Sequence, residues 1–243
     1  MEKNQFSIWI GNVAKYTEGN LDGKWVDLPK SDEELQEIIN GISNNGQDEV
    51  MIFDFDINEN LAYLRDDISE YSSIEELNTL AQLLSLQEEH PAAELYISHA
   101  GNMTITEICN VLMQEDELPY MRYEFEGSDN PEVMRNMSDE TKLGYTLLER
   151  DISLKTLLEN REIGSSTLIH YINVEDIGRD MVMSGYAEVG EFGWYDTQAV
   201  QPELELYTVD DVKEHIQEMQ IKEQKHQQRI LDERVINKNG PKL

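Results

Sequence analysis

The acidic residues of this chain do not form a tail. They come in short clusters set between apolar blocks that have the periodicity of helices and strands. The clusters are Asp32-Glu33-Glu34, Asp54/Asp56/Glu59, Asp66-Asp67 with Glu70, Glu75-Glu76, Glu88-Glu89, Glu115-Asp116-Glu117 and Glu124/Glu126. A chain patterned this way must fold into an ordered body that displays carboxylates along its length. The excess is large: 50 Asp and Glu against 19 Lys and Arg over 243 residues, a formal net charge of −31. From Thr208 onward seven acids meet seven bases, so residues 1–207 carry the whole excess. Self-repulsion of that size opposes compaction. Disorder is nevertheless excluded, because 39% of the residues are hydrophobic and aromatics are spread throughout. A folded body that keeps such a field is expected to attract basic partners or to stand in for a polyanion.

The same charge argues against direct binding to nucleic acid or to an anionic membrane. Cys109 is the single cysteine, which excludes an internal disulfide and points to a reducing compartment. The N-terminus MEKNQFSIWIGN lacks an apolar signal region, and no apolar run approaches the roughly 20 residues that span a bilayer. A soluble cytoplasmic protein is expected.

Phe6-Ser-Ile-Trp-Ile-Gly alternates as a strand does, and the glycines of Gly19 to Gly23 supply a turn before a short strand at Lys24-Trp-Val-Asp-Leu. Ser31-Asp-Glu-Glu34 is a capping box that opens a helix with Leu35, Ile38, Ile39 and Ile42 on one face. Strand character returns at Glu49 to Asp56, so residues 1–57 read as a small β-β-α-β domain. Residues 58–117 read as a helical middle domain, with helices from Ser72 or Ser73 and from Thr104. Glu94 to His99 fits helix or strand equally.

Residues 118–200 read as an α+β domain. It has a strand from Pro119 to Glu126, a helix from Ser138, short helices from Ser153 and Ser165, and two strands between Met181 and Asp196. Residues 201–243 form a charged tail, whose sparse Val212, Ile216, Met219 and Ile230 predict a polar helical appendage outside any core. The expected fold class is α+β, with several small domains in a row and a long C-terminal helix.

The chemical motifs are few. Asp54-x-Asp56-x-Asn58 copies the start of a calcium loop, but Glu59 stands where glycine is needed and Arg65 where a bidentate Glu belongs. With 50 carboxylates, a pair placed for acid/base work carries no information. The chain has no HExxH, no nucleophile elbow and no phosphate-cradling glycine loop. No catalytic residue, cofactor or metal is assigned, and the expectation is a protein that is not an enzyme.

Several blocks resemble the ArdA antirestriction family. Ile8-Trp-Ile-Gly-Asn-Val-Ala-Lys-Tyr-Thr-Glu-Gly-Asn-Leu-Asp-Gly-Lys-Trp25 is similar to the family's opening. Ile52-Phe-Asp-Phe-Asp56, Ile68 to Asn78, and Tyr171-Ile-Asn-Val-Glu-Asp-Ile-Gly-Arg-Asp-Met-Val-Met-Ser-Gly185 follow in the family's order. The resemblance covers about residues 6–196. It implies an elongated, three-part α+β protein that dimerises, mimics B-form DNA and blocks the DNA-binding groove of Type I restriction–modification complexes.

On that basis the acidic surface is assigned to Asp54, Asp56, Glu59, Asp66, Asp67, Glu70, Glu75, Glu76, Glu88, Glu89, Glu115, Asp116, Glu117, Glu124 and Glu126. The antirestriction-like segment, an LLxxL-type helix leading into a GRD sequence, is assigned to Leu157, Leu158, Glu159, Glu162, Tyr171, Glu175, Asp176, Gly178, Arg179 and Asp180. B-DNA carries one charge per roughly 1.7 Å of axis, so 31 charges match roughly 50 Å of duplex. Three alternatives remain: a decoy aimed at another DNA-binding protein such as a CRISPR effector or nucleoid protein, a divalent-cation-binding protein, and a salt-adapted surface.

Overall fold

The computed structural model describes residues 5–87 and 89–238, with side chains given up to residue 222 and, beyond it, at 224, 225 and 229. The elements in chain order are β1 (Phe6–Asn12), α1 (Val13–Thr17), β2 (Gly23–Leu28), α2 (Asp32–Ile42), β3 (Val50–Ile57), α3 (Ile74–Leu84), α4 (Pro91–Ala100) and α5 (Ile105–Met113). Then come β4 (Tyr120–Arg122), α6 (Pro131–Arg135), α7 (Asp139–Arg150), α8 (Ile152–Asn160), β5 (Glu162–Ile163), β6 (Ser166–Thr167), α9 (Val174–Met183), β7 (Ala187–Val189), β8 (Gly193–Asp196) and α10 (Val209–Lys238). The fold is α+β. It divides into one compact unit of Met1–Glu89, Gly101–Met113 and Leu204–Leu243, and a second of His90–Ala100 and Gln114–Glu203.

In the first unit β1 is the central strand of an antiparallel sheet ordered β2-β1-β3. The alternation of β1 explains this: Phe6, Ile8 and Ile10 are buried with Val26, Leu28 and Ile52, while Ser7 and Trp9 point to the opposite face. One short helix, α1, is not visible in the sequence pattern; it starts because the Asn12 side chain accepts the Lys15 backbone N–H. The Ser31–Glu34 capping box forms as expected. Two buried asparagines act as strand partners for single residues. Asn78 accepts from Lys30 N at 2.8 Å and donates to Lys30 O at 2.9 Å. Asn110 does the same with Tyr207, at 2.8 and 3.2 Å.

That second clamp delivers α10 into the unit. Val212 and Ile216 are 0% and 3% exposed, and Lys213 bridges Glu75 at 2.6 Å and Asp32 at 3.3 Å. The first turns of α10 are therefore core, which corrects the expectation of a helix wholly outside any core. Two buried apolar residues one turn apart dock a helix whose other described residues are mostly polar.

In the second unit the sheet is ordered β4-β8-β7, and a small hairpin pairs β5 with β6. Tyr123, Phe125, Leu143, Ala187 and Trp194 form its main core, with a second cluster of Leu148, Leu158 and Val174. The segment Glu94 to His99, open in the sequence, is part of α4.

The strand expected from Pro119 to Glu126 is confined to Tyr120–Arg122. Beyond it the Tyr123 hydroxyl donates to Gly190 O, and Glu124 N donates to the Thr146 hydroxyl instead of a neighbouring strand. Of the stretch read as two strands, Met181 to Met183 are the last turn of α9, and the strands begin at Ala187. Among the described residues, no helix is long and apolar enough to cross a membrane.

Candidate functional site

The acids assigned in the first unit separate into those that hold the fold and those that only display charge. Asp54 and Asp56 lie on the same exposed face of β3, about 7 Å apart along the strand. Asp54 stands opposite Trp9 and Asp56 opposite Ser7. Glu59 is exposed at the start of a 3₁₀ turn that buries Leu61 and Leu64, Asp66 is exposed beyond it, and Glu70 accepts a hydrogen bond from Tyr71, which pushes the Tyr71 hydroxyl's pKa above its ordinary value. Glu89 is exposed, and Glu88 lies outside the described residues.

The remaining acids of this unit are structural. Asp67 accepts from Met103 N at 2.7 Å. Glu76 accepts from the Thr106 hydroxyl at 3.0 Å, and Glu75 is held by Lys213.

In the second unit Glu115 is half-buried, and its two oxygens are both committed. Oε1 accepts from Ala92 N at 2.8 Å and Ala93 N at 3.3 Å, and Oε2 lies 3.1 Å from His90 Nδ1. The carboxylate thus caps the positive end of α4. Asp116, Glu117, Glu124 and Glu126 are exposed. None of these four, nor Asp54, Asp56, Glu59 or Asp66, forms an ion pair with a described cation. Lys15, Lys142, Lys155, Arg179 and Lys213 are each already paired with other carboxylates, Lys15 with Asp22 and Lys142 with Asp139.

The segment assigned to antirestriction is not a single helix. Leu157, Leu158 and Glu159 close α8, Glu162 opens the β5–β6 hairpin, Tyr171 ends a 3₁₀ turn, and Glu175 to Asp180 lie in α9. Leu158 is buried whereas Leu157 is 51% exposed, together with Ile152, Leu154, Ile163 and Tyr171. Tyr171 donates its hydroxyl to Ile163 O at 3.1 Å and so ties the 3₁₀ turn to the hairpin. Arg179 pairs with Glu175 and, at 2.8 Å, with Asp176 on its own helix, and Asp180 is exposed.

Gly178 has a packing role. A Cβ there would sit 1.9 Å from Glu140 O, and one on Gly144 would sit 2.1 Å from Val174 O. The two glycines let α7 and α9 cross backbone to backbone.

Among the described residues, no group of three or more His, Cys, Asp or Glu side chains is placed to hold a metal. One feature escaped the sequence reading, an aromatic band of Tyr16, Phe53, Trp9 and Trp25 on the outer face of the first sheet. Its signal was present in the alternation of β1, which puts Trp9 on the face opposite the core.

A family model described as "Antirestriction protein (ArdA)" matches residues 8–196, so the match runs from within β1 to the end of β8 and stops before α10. No curated protein matches the chain.

Proposed function

The chain belongs to the ArdA antirestriction family, and on that premise we propose that it is a decoy that imitates B-form DNA in the DNA-binding groove of Type I restriction–modification enzymes. The observation that carries the reading is a set of exposed carboxylates that form no ion pair with a described cation: Asp54, Asp56, Glu59 and Asp66 in one unit, Asp116, Glu117, Glu124 and Glu126 in the other. Charges held by a folded backbone stand where phosphates would and lose little side-chain freedom on contact. They steer the protein to a basic groove, meet its Lys and Arg side chains, and exclude the duplex. No residue has to perform chemistry. Affinity is spread over many weak contacts, and association slows steeply as salt rises.

The exposed apolar side chains Ile152, Leu154, Leu157, Ile163 and Tyr171, in and after α8, support a homodimer. Two copies would offer charge for roughly 100 Å of duplex.

The test is restriction of unmodified DNA by a Type I enzyme in the presence of the protein. Combined reversal to Lys at Asp54, Asp56 and Asp66 is expected to weaken inhibition about tenfold, roughly half a kcal/mol per site in line with exposed ion pairs. Asp67 is left intact because it holds Met103 N. Undiminished restriction at saturating protein, in several Type I systems, would refute the decoy. Inhibition of an unrelated DNA-binding protein instead would redirect it to another target.

A further inference from the structure

The outer face of the β2-β1-β3 sheet carries more than charge. Across the three strands, Trp25, Trp9 and Asp54 form one row, and Asp27, Ser7 and Asp56 form the next. The Ser7 hydroxyl donates to Asp27 at 2.6 Å. The Trp9 and Trp25 rings meet edge to face with centroids 5.9 Å apart. Beyond them Phe53 covers Gly11 and packs on Tyr16 at 4.7 Å. Glycine is what makes room for these rings. A Cβ on Gly11 would lie 2.5 Å from the Phe53 ring, and one on Gly23 would lie 2.5 Å from Ile10 O and 2.8 Å from Trp9 Nε1. Trp25 stays 44% exposed and Tyr16 52%, so the band is not closed off as core.

Exposed aromatic rings on an open sheet face suit either a nucleobase or a cation. Asp27, Asp54 and Asp56 border this band and repel the phosphates that accompany any base, which leaves the cation. Between the two cationic side chains, arginine fits better. Its guanidinium is planar, weakly hydrated and able to stack on an indole while forking to a carboxylate, and lysine's compact ammonium does neither. Asp54 is the cross-strand neighbour of Trp9, about 5 Å away by strand spacing, so one guanidinium can reach both. Imitating phosphate requires no indole, and this face therefore adds selectivity to the field.

We propose that this face is an arginine-binding platform that takes a guanidinium displayed by a basic protein partner, stacked on Trp25 beside the edge of Trp9 and paired with Asp27 or Asp54. The proposal rests on the decoy reading only for the basic character of the partner.

The test uses the full chain and two capped peptides, tetra-arginine and tetra-lysine, titrated calorimetrically at 0.15 M NaCl. Tetra-arginine is expected to bind about threefold tighter, the size of one exposed cation–π contact. Trp25→Leu is expected to bring the two peptides to parity while the tetra-lysine affinity stays unchanged. In the wild-type protein, tetra-arginine should shift the indole N–H resonances of Trp9 and Trp25 and leave the buried Trp194 silent; this readout does not depend on any variant folding. Equal affinity of the two peptides, an arginine preference that survives Trp25→Leu, or silent Trp9 and Trp25 resonances would each overturn the platform. Failure to inhibit restriction, with peptide discrimination intact, would overturn the decoy alone.

Discussion

In the first unit Gly11 stands on the outer face of a sheet, and the space of its absent side chain is filled by the ring of Phe53. In the second unit Gly144 and Gly178 stand where α7 crosses α9, and the space is filled by backbone carbonyls. Glycine thus opens a surface in one unit and closes a core contact in the other. The difference decides what a methyl group would do. A ring can swing aside, whereas a carbonyl within a helix can move only with its helix.

The sharpest way to break that comparison is Gly178→Ala against Gly11→Ala. At Gly178 the new Cβ meets Glu140 O at 1.9 Å, so α7 and α9 must separate and uncover Leu143 and Val174, costing about 3 kcal/mol or more. At Gly11 the clash is with Phe53 ring atoms, and about 1 kcal/mol is expected as the ring tips away from the sheet. Denaturant midpoints of the two variants measure the difference. Equal costs would mean that the α7–α9 crossing is as compliant as an exposed ring.

How far the sequence discloses these features depends on how local their causes are. The strand alternation of Phe6, Ile8 and Ile10 and the capping box at Ser31 depend on neighbours in sequence, and both form as read. Gly178 was visible within the GRD sequence, but its packing partner Gly144 lies in another helix, and nothing local announces the crossing. The acidic clusters were equally plain, yet the sequence could not separate Asp67 and Glu115 from the exposed acids. Their partners are the backbone N–H groups of Met103 and of Ala92 and Ala93, which only the fold brings near. The burial of Val212 and Ile216 was hidden for a related reason: two apolar residues in a polar helix look like an appendage until Asn110 clamps Tyr207 beside them.

That docking gives a prediction of intermediate size. Cys109 is buried beside Val212 and Glu76, and burial, followed by the Glu76 charge, pushes its thiol pKa up to about 12. At pH 8 it should resist a disulfide reagent in the folded protein and react only when α3, α5 and α10 part. Val212→Ala removes part of that seal at a cost of about 2 kcal/mol, so labelling should accelerate about thirtyfold. The reporter belongs to the first unit alone. Gly178→Ala, for all its larger cost, should leave the rate unchanged; acceleration by both variants would show that the units open together.

The smallest expected effect is in acid, and there the units differ in sign. In the first unit the Glu107 pKa lies below its ordinary 4.5 because Thr104 donates its backbone N–H and then its hydroxyl to the carboxylate. The Asp211 pKa lies below 3.8 through the hydroxyl and backbone N–H of Thr208. Both carboxylates cap helices, α5 and α10, and their contribution is present above the ordinary values and lost as pH falls through the folded ones. In the second unit the Glu94 pKa is raised by burial first and by Glu191 second. Its ionised form is the costly one, so acidification relieves it before the first unit begins to lose its caps. Amide exchange followed from pH 6 down to about 3 should therefore show α4 holding or gaining first, with α5 losing protection only below 4.5 and the start of α10 only below 3.8. Thr104→Ala should abolish the pH response of α5 at a cost of about 1 kcal/mol. A uniform loss of protection across α4, α5 and α10 would instead assign the acid response to the overall charge and not to these particular carboxylates.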